Sequence, residues 1–227
     1  MLFRSPAVVL ITGSGAQDRN ETLLGHKPFL VLADSLTRQG IAVLRVDDRG
    51  VGKSTGSVPN STSAQFAGDV LTGIEFLKTR KEIDPKKIGL IGHSEGGLIA
   101  PMVAAKSADV AFIVLMAGTG LTGEEILYLQ GALIAKAGGA SEAALARQRA
   151  TQETMFRILR EEKDNAVAEP RILEAMKKQL ETATEEEKKQ ATDATLRAQI
   201  KQVTSPWFRY FLTYDPRTAL QIGRAHV

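Results

Sequence analysis

A chain of 227 residues, 43% of them hydrophobic and with Gly and Pro scattered throughout, can bury a core and reads as one globular domain with room for an insertion. It has no cysteine, which excludes disulfides and thiolate metal sites and leaves the compartment open. No apolar run is long enough to span a bilayer.

Both ends read as foreign. Residues 1–5 back-translate as GTG CTC TTC CGA TCT and residues 222–227 as ATC GGA AGA GCA CAC GTC, which resemble the two ends of a sequencing adapter, and Gln221 fits the same reading. The expectation is that 1–5 and 221–227 are adapter translation and that 6–220 is an internal piece of a longer protein. Setting Arg4 and Arg224 aside lowers the net charge from +3 to +1, which removes any case for a nucleic-acid or anionic-membrane partner.

Residues 7–12 are a β-branched run ending in Gly13-Ser14-Gly15, the pattern of a buried parallel strand feeding a loop. Pro28 to Arg38 carries Phe29, Leu32, Ala33 and Leu36 at helical spacing, with Gly40 closing the helix. A second strand is expected over 42–47, a glycine-rich loop over 48–59 and an amphipathic helix over 63–79 with Phe66, Val70, Ile74 and Leu77 on one face. Asp84-Pro85 is expected to turn the chain into a third strand, 88–91, which breaks at Gly92-His93-Ser94-Glu95-Gly96-Gly97 into a helix over 98–105. A fourth strand follows at 111–117. Strand alternating with helix at this rhythm implies a parallel, doubly wound α/β sheet.

The composition changes at Leu121. From there to about Val203 Ala, Glu, Lys, Arg and Gln dominate, and four helices are expected: 124–136, 142–163 behind Ser141, 170–181, and 185–203 opened by the capping box Thr184-x-x-Glu187. The apolar positions keep no heptad for long, so a helical cap suits them better than a coiled coil. Ser205-Pro206 then starts a helix bearing Trp207, Phe208, Tyr210 and Phe211. The domain reading is a core over 6–120, a helical cap over 121–205, and a return towards the core over 206–220.

The chemistry centres on Gly92-x-Ser94-x-Gly96. A serine at the tip of a tight strand-to-helix turn needs neighbours without side chains where the chain doubles back, and Gly92, Gly96 and Gly97 supply that room. Ser94 is the candidate nucleophile, and the Glu95 backbone N–H, at the start of a helix, faces an oxyanion formed beside it. The second oxyanion donor is expected from the loop after an earlier strand. The Ser14 N–H is chosen, with Gly15 as the fallback. Two rival readings fail on spacing: Gly50-Val51-Gly52-Lys53-Ser54 has Asp47 where a phosphate-binding loop needs glycine, and Gly13-x-Gly15 has Asp18 where a dinucleotide fingerprint needs its third glycine. No His/Asp/Glu cluster has metal-ligand spacing, and no cofactor is implied.

TGSGAQDR, DDRGVGKSTG and GHSEGG, in this order, resemble the α/β-hydrolase superfamily, in particular bacterial esterase or peptidase-like members. The resemblance covers about 6–117, and 121–210 resembles the helical cap of such proteins. It implies a partial α/β-hydrolase sheet, a small ester or short peptide as substrate, and a loop that Asp48, Arg49 and Ser54 tie together. It also implies a triad acid and histidine that this sequence lacks. His93 belongs to the elbow and, in that pattern, points away from the Ser94 hydroxyl; His26 opens a helix as a cap or pocket residue; His226 lies in the adapter-like tail. Asp215, followed by Pro216, reads as a helix N-cap, and Glu95 as a rim residue whose backbone matters more than its carboxylate. Trp207, Phe208 and Phe211 are candidates for the acyl-pocket wall. The working reading is a serine hydrolase, foremost a carboxylic ester hydrolase, with a serine peptidase and a non-catalytic scaffold as alternatives, and with this piece inactive by itself.

Overall fold

The computed structural model describes residues 4–222. They form two compact units: a sheet unit, comprising the chain up to Gly120 and again from Asp215, and a helical unit, Leu121–Tyr214.

The sheet unit runs β1 (Ser5–Ile11), α1 (Pro28–Arg38), β2 (Ala42–Leu44), α2 (Ser63–Lys78), β3 (Ile83–His93), α3 (Glu95–Ala104) and β4 (Val110–Met116). The strands lie in the order β2-β1-β3-β4 and every neighbouring pair is parallel. This is the core of an α/β-hydrolase sheet. β1 is buried on both faces, as its continuous apolar run requires. Val8 and Leu10 join Ile91 and Phe29 of α1 in one cluster, with Leu32, Leu36, Ile41 and Val43 packed around it. Ala7, Val9, Ile88 and Leu90, of the opposite parity, are equally buried; α2 and α3 pack on β1 and β3 and on each other. The order places β2 to one side of β1 and β3 to the other, so the chain reverses its winding between β1 and β3. Loops leaving the C-terminal ends of those two strands diverge there and open a crevice.

The larger departures from the sequence expectation have identifiable causes. β2 stops at Leu44 because the next residues turn their side chains to other partners: Asp47 takes Arg19, and Asp48 takes Thr12 and Gln17. β3 begins at Ile83, since Ile83 pairs with Ser5 before Asp84-Pro85 and the two lysines bulge out; the regular register starts at Ala7 with Ile88. α3 begins at Glu95, directly after the serine. His26 does not open α1. It pairs with Leu23 across a two-residue turn made by Leu24 and Gly25, both at positive φ, and Lys27 precedes the helix without a side-chain cap.

The helical unit comprises α4 (Gly123–Ala137), α5 (Glu142–Glu161), α6 (Asn165–Leu180), α7 (Glu185–Gln190), α8 (Asp193–Val203) and α9 (Pro206–Thr213). Each opens on a side chain that accepts a backbone N–H: Thr122, Ser141, Asp164, Thr184, Thr192 and Ser205. These caps explain two differences. Asp164 starts α6 before Pro170, which then sits inside the helix and forgoes one backbone hydrogen bond. Thr192 accepts the Thr195 N–H and starts α8, so the single helix expected over 185–203 is two. The core is Phe156, Ile158, Leu159, Ala168, Ile172, Ile200, Phe208 and Leu212. Arg209 ties α9 to the α5–α6 connection through the carbonyls of Leu159 and Glu162 and the Asn165 amide oxygen. A last helix, α10 (Arg217–Ile222), follows Asp215, whose carboxylate accepts the Arg217 N–H, and packs on α3 in the sheet unit.

Candidate active site

Between the last residue of β3 and the first of α3 there is only Ser94. It adopts φ 52° and ψ −113°, a backbone conformation that a residue with a side chain enters at a cost of about 1–3 kcal/mol. Its N–H donates to the Met116 carbonyl at 2.9 Å, and its carbonyl accepts the Gly97 N–H at 2.9 Å, so β4 and the first turn of α3 both hold the strained residue.

The flanking glycines are dictated by backbone contact. A Cβ at Gly92 would stand 2.0 Å from the Gly96 carbonyl oxygen, one at Gly96 would stand 2.2 Å from the Ile11 oxygen, and one at Gly97 would stand 2.6 Å from the Gly118 Cα. Gly96 therefore presses α3 against the end of β1, which sets the loop that leaves β1 beside Ser94. A Cβ added to Gly13 would lie 3.3 Å from the Ser94 Cβ.

Three carboxylates hold that loop. Asp48 accepts the Thr12 hydroxyl at 2.8 Å and the Gln17 N–H at 3.0 Å. Glu21 accepts the Gly13 N–H at 2.6 Å, and Asp47 accepts the Arg19 N–H at 2.8 Å together with the Arg19 guanidinium. The N–H groups of Gly13, Gln17 and Arg19 are thus spent. Among the described residues nothing accepts from the N–H groups of Ser14, Gly15 or Ala16, which lie on the exposed tip of the loop with Gly15 at φ 100°. Ser14 further accepts the Gln17 side-chain amide on its carbonyl, which fixes the direction of the tip.

Burial pushes the Asp48 carboxyl up to about 6, against the hydrogen bonds from Thr12 and Gln17, and the charges of Glu95 and Glu21 add to the rise. The hydrogen bonds of Arg19 hold Asp47 down to about 2. Glu95 departs from the rim position expected of it: it is 4% exposed and accepts the Ser63 hydroxyl at 2.6 Å, a buried hydrogen bond that joins α3 to the first turn of α2. Its backbone N–H lies at the opening of α3.

The loop after β2 is tied by its own residues. Arg49 makes a two-pronged ion pair with Asp69 and also donates to Ser61, and the Ser54 hydroxyl donates to the Asp47 carbonyl. Gly52 stands where a Cβ would meet the Asp47 carboxylate at 2.6 Å. The following helix, α2, starts only at Ser63, so the geometry of a phosphate-cradling loop is not formed.

Of the expected site residues, Ser94, Glu95, Gly92, Gly96 and Gly97 lie on one turn, and Gly13, the residue before Ser14, stands against Ser94. The His93 ring turns to Glu21, with Nδ1 2.7 Å from Oε1, and His26 lies exposed on its hairpin. Among the described residues of the sheet unit none hydrogen-bonds the Ser94 hydroxyl. His226 lies outside the described residues. Within the helical unit, Phe208 belongs to the core and packs on Phe156 and Trp207, while Trp207 stacks on Phe211, so packing accounts for the burial of this cluster. Glu21, which no motif marked, is the residue that sequence reasoning missed. Among the described residues no group of three His, Cys, Asp or Glu side chains is placed to hold a metal ion, and no helix is long and apolar enough to cross a membrane.

A parallel sheet with a serine on the tight turn after its third strand and an N–H-bearing loop after its first is the arrangement of an α/β-hydrolase fold. The hydrolase family described as serine aminopeptidase, S33, matches residues 27–200, and the chain belongs to that family. Curated relatives include esterase EstD of Thermotoga maritima, 33% identical over 102 residues, or 45% of this chain and 24% of that protein. Thiohydrolase apmlB of Arthrinium phaeospermum is 34% identical over 49% of this chain and 34% of its own length, and the putative hydrolase YtaP of Bacillus subtilis 31% identical over 44% and 39%. The matches thus span well under half the length of these relatives. Among solved structures, an esterase of Pyrococcus furiosus is 22% identical over 59% of this chain and 47% of that one, with a TM-score of 0.48. The α/β-hydrolase GrgF of Penicillium sp. sh18 is 23% identical over 60% and 45%, with a TM-score of 0.46.

Proposed function

We propose that the protein is a serine hydrolase acting by acyl transfer on carboxylic esters. The observation that carries this is Ser94 held at positive φ by three obligatory glycines beside a loop with unspent N–H groups. In the proposed reaction the Ser94 oxygen attacks the ester carbonyl carbon, and the Ser14 and Glu95 N–H groups receive the developing oxyanion. A histidine accepts the serine proton and delivers it to the leaving alcohol; water then cleaves the acyl-enzyme by the same route in reverse. His93 is engaged with Glu21 and His26 is exposed on a hairpin, so the base and its acid partner are assigned to chain outside the residues described.

The description of the family favours a second reading, an aminopeptidase, since the same machinery cleaves amides. Both readings are tested by expressing this chain, and any longer reading frame recovered around it, and assaying each with p-nitrophenyl esters and aminoacyl p-nitroanilides. The expected result is ester turnover by the longer protein only, abolished by Ser94→Ala. Anilide turnover exceeding ester turnover would select the peptidase reading. Steady ester turnover by the present chain, lost in Ser94→Ala, would show that the base lies within it.

A further inference from the structure

Glu21 stands in no motif, yet its carboxylate sits where the two halves of the site meet. We propose that Glu21 is a positioning residue that locks the oxyanion loop to the nucleophile elbow. One oxygen, Oε1, takes the Gly13 N–H at 2.6 Å and His93 Nδ1 at 2.7 Å, so a single atom fixes the residue before Ser14 against the residue before Ser94. The inference rests on the reading of Ser94 as nucleophile and Ser14 as donor.

Four observations support the assignment. Glu21 is 5% exposed, and a buried carboxylate is held there only by groups that donate to it. Its backbone is at φ 52°, a conformation kept because the segment is pinned: Asp18 accepts the N–H groups of Asn20 and Thr22 and the Thr22 hydroxyl, and the Glu21 N–H donates to the Asp18 carbonyl. That folded segment aims the side chain inward. The contact has no slack, since a Cβ at Gly13 would meet Glu21 Oε1 at 3.2 Å, His93 Nδ1 at 3.3 Å and Ser94 Cβ at 3.3 Å. Finally, the Oε1 atom that accepts the Gly13 N–H also faces the His93 ring, and a carboxylate oxygen as acceptor puts the proton of that contact on Nδ1.

The clamp is read by NMR on the 227-residue chain. The Gly13 amide proton should lie well downfield and exchange slowly, and His93 should show a protonated Nδ1. In Glu21→Leu the amide should move upfield and exchange at least about tenfold faster. The positioning role is read in whichever form carrying this sequence turns over esters, where Glu21→Leu should lower kcat about 100-fold with KM within about twofold, the signature of a displaced oxyanion donor. Glu21→Gln keeps the shape and the acceptor oxygen but loses charge, and should retain the fold and lower kcat only about fivefold. If Glu21→Leu does not fold, the glutamine variant decides: a kcat loss at unchanged KM and melting temperature supports the role, and an unchanged kcat overturns it. Unperturbed Gly13 and His93 signals in Glu21→Leu overturn the clamp itself. Activity that survives Ser94→Ala overturns the reading of the site, and the positioning role with it, while the NMR signals still report whether the clamp exists.

Discussion

In the sheet unit, Gly92, Gly96 and Gly97 leave no volume for one methyl group, and the neighbouring loop hangs on the carboxylates of Asp48 and Glu21. In the helical unit every helix opens on a Ser, Thr or Asp cap, and stability resides in an aliphatic and aromatic core. The contrast separates two kinds of constraint. Where the backbone itself forms the site, adding an atom is the damaging change; where helices pack through side chains, removing atoms is.

The largest expected effect follows from the second constraint. Phe156→Ala removes a ring, 1% exposed, that packs on Tyr128 and Phe208, and should cost about 4 kcal/mol in the helical unit, measured by denaturant unfolding. Gly96→Ala adds a single carbon against the Ile11 carbonyl and should cost about 3 kcal/mol, lowering the melting temperature by roughly 6–12 °C. A loss below about 1 kcal/mol would mean that the elbow has slack, and the contrast between the units would collapse.

The pH dependence sharpens the role of the carboxylates. A folded Asp48 that titrates at about 6 instead of 3.8 favours its protonated form. Its stabilising contribution is therefore full below pH 3.8 and is lost as pH rises through about 6. Solvent contact reduces the effect to roughly 1–2 kcal/mol. Asp48→Asn should accordingly be more stable than the parent chain at pH 8, and the gap should close on acidification to pH 4. A gap that widens on acidification would mean that burial, with the smaller push of Glu95 and Glu21, is not what opposes the ionisation of Asp48.

The smallest effects contrast a cap with an unobstructed glycine. Thr122→Ala deletes the capping box of α4 and should cost about 1 kcal/mol. Gly68, in α2 with no atom within 4 Å of an added Cβ, should become Ala with a gain of about 0.5–1 kcal/mol, the opposite sign to Gly96→Ala.

The parts legible in the sequence were those whose cause is local. The spacing of Gly92, Ser94 and Gly96 announces a backbone crossing that any strand-to-helix turn of this kind must make, and the apolar run before it announces the buried strand. Glu21 was not legible, because its role is the product of three segments meeting, at residues 13, 21 and 93, and of a backbone at φ 52° that no local pattern encodes. The bulge at Asp84-Pro85 was hidden for the same reason: only the pairing of Ile83 with Ser5 makes that turn part of a strand. The break at Thr192 carried its signal openly, a Thr-Asp pair, but it lies within a run of strong helix formers that reads as continuous by propensity.

The central claim is that Ser94 is the nucleophile, and it is tested most directly by locating the bond that forms on it. Trypsin should release residues 88–106 as one peptide, in which Ser94 is the sole hydroxyl-bearing residue. After reaction of the ester-hydrolysing protein with a fluorophosphonate, mass spectrometry should find the phosphonyl mass on that peptide, in step with the loss of activity. An adduct on the peptide 5–19 that carries Ser14, or inactivation that leaves 88–106 at its unmodified mass, would contradict the account.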